Sequence, residues 1–143
     1  MTDENCIFCK IINGDIPSYK VYEDDVVLAF LDISQTTPGH TLVIPKKHVP
    51  DIFHLSSDDA AQIFARVPKI ANAIKASNPD IKGMNILNNN GEVAYQSVFH
   101  AHIHLVPRYS SQDGFQIKFS DNEKDYNDDD YQKIQAKIKK AFK

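Results

Sequence analysis

The feature that most restricts this chain is the run His100-Ala101-His102-Ile103-His104-Leu105-Val106-Pro107-Arg108, in which three imidazoles alternate with apolar residues. A period of two is the side-chain period of a β-strand. An extended segment here sends all three histidines to one face and Ala101, Ile103 and Leu105 to the other. The apolar neighbours predict a packed strand, and residues 97–106 read as that strand. Three of the six histidines in the chain thereby converge on one patch. Imidazole titrates near neutrality, which suits it to nucleophilic, acid–base or metal-ligand work. The residues alone leave three readings open: a catalytic group, a metal site made of alternating histidines, and a polar strand face or tag with no chemistry.

The rest of the pattern is a mixture of strands and helices. Residues 19–32 predict two short strands around a turn at Glu23, Asp24 and Asp25. The turn residues Thr37, Pro38 and Gly39 precede a β-branched strand that begins at His40 and ends at Pro45. Residues 84–87 predict another strand, joined to the histidine run by the turn-rich NNNGEVAY. Between Ser56 and Ser77, the residues Ile63, Phe64, Val67, Ile70, Ala71 and Ile74 recur at helical spacing and predict one long amphipathic helix. Pro68 opposes this, since an interior proline costs about 3 kcal/mol, so a kink or two shorter helices is the alternative. Residues 110–130 are polar and irregular. A last helix at about residues 128–142 carries Tyr131, Ile134, Ile138 and Ala141 on one face and lysines in its last turns. Tight turns between most strands indicate α+β with an antiparallel sheet of about five strands, one long helix and a C-terminal helix as an appendage. A chain of 143 residues reads as one domain, 1–143, because two halves would each bury too little core.

Composition removes several function classes. The net charge of −3 argues against a duplex nucleic-acid binder, so any phosphate site is local. No apolar run approaches the roughly 18–20 residues of a membrane span, and the start MTDENC lacks the basic and apolar parts of a secretion signal. The expected compartment is the cytoplasm, with no membrane partner. Two cysteines, Cys6 and Cys9, are too few and too close for a secreted disulfide framework. They make half of a tetrahedral metal site, a redox pair, or two buried thiols that behave as small apolar groups.

The string Gln96-Ser97-Val98-Phe99-His100-Ala101-His102-Ile103-His104 resembles the signature of the histidine-triad nucleotide-binding proteins. CIFCKII, FLDIS with the following PGHTLVIPKKH, and NNNG match the same family in order and approximate spacing, so the resemblance covers about residues 5–109. It implies that fold, and a hydrolase acting at the α-phosphate of a nucleotide. His102 is implied to be the nucleophile, with His104 on the phosphate oxygens, Ser97 on the phosphate or leaving group, and His100 completing the triad. Asn89 is implied to contact ribose or phosphate and Asp32 the ribose hydroxyls, with Ile7, Phe8, Ile11 and Phe30 as the wall around the base. His40 matches a histidine that supports the phosphate end by hydrogen bonding.

Plain core packing explains the apolar four equally well, as a loop cap explains Asp32 and a simple turn explains Asn88 to Gly91. Lys46 and Lys47 read as a solvated pair and His54 as a surface residue. The resemblance further implies a structural zinc on Cys6, Cys9, His48 and His100, no organic cofactor, and a homodimer with the sheets of two subunits joined. Ser97 directly after Gln96 favours nucleoside 5′-phosphoramidates as substrates. A dinucleoside polyphosphate hydrolase and a nucleotide- or zinc-binding module with little turnover are the alternatives. Ala94 and Tyr95 depart from the pair of glycines common in the family, which bears on the leaving-group side.

Overall fold

The computed structural model describes residues 3–143; Met1 and Thr2, with which the leader reading begins, lie outside the described residues. Five strands form one antiparallel sheet: β1 (Lys20–Glu23), β2 (Val27–Leu31), β3 (Thr41–Pro45), β4 (Gly83–Leu87) and β5 (Ile103–Arg108), in the order β1-β2-β3-β5-β4. The α+β expectation with about five antiparallel strands is therefore met. β2 and β3 are buried on both faces, which explains why they read as nearly continuous apolar runs.

The sheet separates two apolar clusters. Val27, Ala29, Val43, Ile103 and Leu105 face α2 (Ser57–Ser77), which contributes Ile63, Val67, Ile70 and Ile74. Burying each such side chain contributes about 1.5–3 kcal/mol. Leu28, Phe30, Leu42 and Ile44 face the other way, toward Phe8, Cys9 and Ile11 of the short helix α1 (Ile7–Ile12). Leu42 pairs with His104 across β3 and β5, so His104 belongs to this second face.

Helix α2 is continuous through Pro68. Pro68 is exposed, so its ring and the unpaired carbonyl one turn earlier meet water, while the four buried anchors hold both halves of the helix to the sheet. Ser56 caps the start by accepting from the Asp59 amide at 3.0 Å. Phe64, read as part of the buried face, is half exposed. Gly39, at φ +97°, makes the turn into β3 beside β5, where a Cβ would meet the Pro107 ring at 3.2 Å. The terminal helix α3 (Asp128–Ala141) has no buried residue. Among the described residues no helix is long and apolar enough to cross a membrane.

Candidate active site

One expectation from the period-two pattern fails here. The last strand begins at Ile103, and His100 and His102 precede it in irregular backbone. Residues 96–101 are held by the loop after β3 instead of by a neighbouring strand. The Ala101 amide donates to the Val49 carbonyl at 2.6 Å, and the Gln96 side-chain amide donates to the Pro50 carbonyl at 2.6 Å. The three imidazoles therefore do not share one face. His102 and His104 open onto one cavity, and His100 turns into a separate cluster.

That cavity, about 280 Å³, is lined by His102, His104, Ser97, Asp32, Ile7, Phe8, Ile11 and Phe30, with Leu42 and Val98 among the others. Its apolar end is rigid: the Phe8 ring meets Phe30 edge-on at 5.7 Å and His102 at 5.2 Å between centroids. Helix α1 can offer this wall because Cys6 caps it, its sulfur accepting from the Cys9 amide. Asn89 is half-buried and is not one of the lining residues. Its neighbour Asn88 instead donates to the His102 carbonyl at 3.0 Å and steadies that residue from behind.

Two hydrogen bonds assign the imidazole protons. His102 Nδ1 lies 2.7 Å from the His100 carbonyl oxygen, which can only accept, so Nδ1 carries the proton and Nε2 keeps its lone pair. His104 Nδ1 lies 2.9 Å from His40 Nε2, so one of the two donates. Among the described residues His40 Nδ1 is buried without a hydrogen-bond partner. An orphaned donor is rarer than an orphaned acceptor, which puts the proton on His40 Nε2, where Asp32 Oδ2 also lies 3.8 Å away. His104 then accepts at Nδ1 and carries its own proton at Nε2. Burial holds His102 below the ordinary imidazole range and holds His104 down at about 4, so both are neutral near pH 7.

Asp32 serves two purposes. Its Oδ1 accepts from the Ser34 amide at 2.8 Å and the Ser34 hydroxyl at 2.6 Å, which is the loop cap read from sequence. Burial alone would raise its carboxyl, but the Ser34 bonds, with the nearby His40 and His104, bring it below the usual range. It is thus a carboxylate at the cavity wall.

His100 donates Nε2–H to the Pro45 carbonyl at 2.7 Å, which leaves Nδ1 bare. That Nδ1 sits 3.5 Å from Cys6 Sγ, 3.6 Å from Cys9 Sγ and 3.2 Å from His48 Nδ1, and Cys9 Sγ is 3.4 Å from His48 Nδ1. These four residues form a group that could hold a metal ion. Burial pushes the Cys9 thiol up from its ordinary range, an effect that a cation among the four ligands would oppose.

The remaining sequence candidates lie away from both centres. Lys46 pairs with Glu23 at 2.9 Å and Lys47 with Asp59 at 2.8 Å. His54 bonds Asp51 on the surface. Tyr95 follows the turn Glu92–Ala94 in a left-handed conformation, φ 69°, and is exposed. Gln96 and Asn88 are the residues that sequence reasoning passed over. Gln96 is a nearly buried polar residue, and only the tertiary fold shows that it ties the 91 and 50 loops together.

Comparison with known proteins agrees with this geometry. The HIT domain matches residues 13–111. The chain is 57% identical over 139 residues to Protein hit of Bacillus subtilis, covering 97% of this chain and 95% of that one. It is 43% identical over 113 residues to the adenosine 5′-monophosphoramidase hnt1 of Schizosaccharomyces pombe, covering 79% and 81%. A crystal structure of a HIT family protein from Bacillus anthracis superposes with a TM-score of 0.93 at 56% identity, covering 99% of this chain and 100% of the other. With the fold, the site and these relatives in agreement, the chain belongs to the HIT domain family.

Proposed function

We propose that this protein hydrolyses nucleoside 5′-phosphoramidates at the α-phosphate, through a covalent intermediate on His102. The observation that carries the reading is the hydrogen bonding of two adjacent imidazoles, with His102 Nδ1 2.7 Å from the His100 carbonyl oxygen and His104 Nδ1 2.9 Å from His40 Nε2. His102 offers a lone pair at Nε2 and His104 a donor at Nε2, with ring centroids 5.0 Å apart at the wall of one cavity. In the first step the His102 lone pair forms a P–N bond, the bond from phosphorus to the amine breaks, and the amine leaves after taking up a proton. In the second, water attacks phosphorus, loses a proton, and displaces His102 to release the nucleoside monophosphate. His104 and Ser97 would hold the charge on the phosphate oxygens as it builds up, the kind of fixed-donor stabilisation that usually dominates the rate. Asp32 Oδ2 would take the ribose hydroxyls, with Ile7, Phe8, Ile11 and Phe30 against the base, and Asn89 near ribose or phosphate.

The four-residue cluster fits zinc. Bonds of about 2.3 Å to sulfur and 2.0–2.1 Å to nitrogen at tetrahedral angles place ligand atoms roughly 3.3–3.8 Å apart; the distances above run from 3.2 to 3.6 Å. With four protein ligands such a zinc would be closed to water and structural, and would clamp α1 to residue 100. Asp3 Oδ2, 3.9 Å from His48 Nε2, would orient that ligand. We place the protein in the cytoplasm, as a homodimer with the sheets of two subunits joined.

Side-by-side release of AMP from adenosine 5′-phosphoramidate and from a diadenosine polyphosphate tests the substrate class. The phosphoramidate should turn over faster, and His102→Ala should lower the rate roughly a thousandfold or more. Equal slow release by wild type and variant would reject the catalytic reading.

A further inference from the structure

At the apolar end of the cavity the fold leaves a polar atom without use. Ser18 is half-buried among the lining residues, and its Oγ is buried with no hydrogen-bond partner among the described residues. A serine ahead of a strand ordinarily bonds a nearby backbone group, and a buried hydroxyl left unpaired is costly, so such an atom calls for a reason. The other polar side chains of the cavity have one. Asp32, Ser97, His102 and His104 would serve the ribose and phosphate, and Tyr19, at 71% exposure, lies largely in solvent.

The backbone fixes Ser18 from both sides. Ahead of it the Asp15 amide donates to the Lys10 carbonyl of α1 at 2.8 Å, and Pro17 restricts the residues that follow. Behind it the Leu31 amide donates to the Tyr19 carbonyl at 2.9 Å, which carries the β1–β2 ladder one step beyond the Lys20–Phe30 pair. Continued outward, that antiparallel register sets Ser18 opposite Asp32, and the period of two puts both on the face of Phe30. The hydroxyl is thereby held beside the wall that Phe8, Ile11 and Phe30 would lay against the base.

We propose that Ser18 reads the purine, its hydroxyl accepting from the 6-amino group of adenine and donating to the neighbouring ring nitrogen. This inference rests on the nucleotide reading of the cavity and names the base class that the cavity selects. Serine has a single side-chain torsion, so Oγ turns toward a bound base without giving up a hydrogen bond. One hydroxyl offers one donor together with acceptor lone pairs, which matches a base edge where a donor stands next to an acceptor. Adenine presents that pair as N6–H beside N1 or N7. Ile7, Ile11, Ile16, Phe30 and Leu42 around it are apolar. A purine without the amino group therefore leaves the hydroxyl only half matched, and guanine buries an extra amino group that this wall cannot pair.

Equilibrium binding of AMP and of purine riboside 5′-monophosphate, which lacks the 6-amino group, tests the inference by titration calorimetry on the full chain. Wild type should bind AMP about threefold to tenfold more tightly, the usual worth of one neutral hydrogen bond. Ser18→Ala should bind the two nucleotides equally, with its affinity for the riboside monophosphate unchanged. The hydroxyl bonds nothing in the free protein, so Ser18→Ala should also melt no lower than wild type. A variant that keeps the preference for AMP, or one that melts well below wild type, would overturn the role of Ser18 and leave the nucleotide reading standing. A wild type that binds neither nucleotide would overturn both.

Discussion

The Nδ1 of His102 and the main-chain oxygen of His100 lie 2.7 Å apart, so the proton state of one histidine is set by the backbone of the other. The His100 side chain meanwhile belongs to the Cys6, Cys9 and His48 cluster. One residue thus joins the proposed metal site to the proposed nucleophile.

The first prediction concerns that cluster. Protein purified without chelator should contain one zinc per chain, and Cys9→Ser should lose it. Zinc at a hundredfold its dissociation constant stabilises the folded state by about 2.7 kcal/mol, so the variant should melt at a distinctly lower temperature. Wild type without metal, or a variant with unchanged metal content, would contradict the assignment.

The second prediction concerns His40. Among the described residues its Nε2 is the one side-chain partner of His104 Nδ1, at 2.9 Å, and its loss frees His104 to take the other tautomer. His40→Ala should lower turnover about tenfold to a hundredfold, the usual scale for a group that orients a working histidine. Unchanged kcat and KM would show that His104 needs no such support.

Stability should depend on pH through His104. Its pKa is about 4 in the fold against an ordinary 6.5. Between those values the unfolded chain binds a proton that the folded chain does not, so stability falls as pH drops from 6.5 toward 4 and this contribution flattens below. His104→Gln should show a shallower fall across that window in thermal melts. Equal slopes would remove His104 as a source.

Phe8 tests the base wall. Its ring packs edge-on against Phe30 and His102, contacts worth about 0.5–1.5 kcal/mol each beyond area burial. Phe8→Leu should raise KM for an adenosine substrate several-fold while leaving most of kcat. A fall confined to kcat would place Phe8 with the chemistry instead.

Much of this was legible in the sequence because it rests on local pattern. The strands and the α2 face at Ile63, Val67, Ile70 and Ile74 follow from periodicity, while the apolar residues around the cavity were reached through family resemblance. The four-residue metal group was reached through family resemblance, because its members are scattered from Cys6 to His100. What escaped depends on distant backbone. The irregular path of His100 comes from bonds between residues 96–101 and the loop at 49–50, which no period reveals. Asn88 gains its role only because its amide reaches the His102 carbonyl. Pro68 is tolerated because it falls on the solvent side of α2, a fact of phase and not of composition.

The most direct test of the central claim is a single-turnover reaction with adenosine 5′-phosphoramidate, quenched rapidly and read by peptide mass spectrometry. The account predicts one adenylyl group on the peptide containing His102, located on that imidazole and absent from His102→Ala. AMP formed at the full rate with no adenylylated intermediate, or with the adenylyl group on another residue, would contradict it.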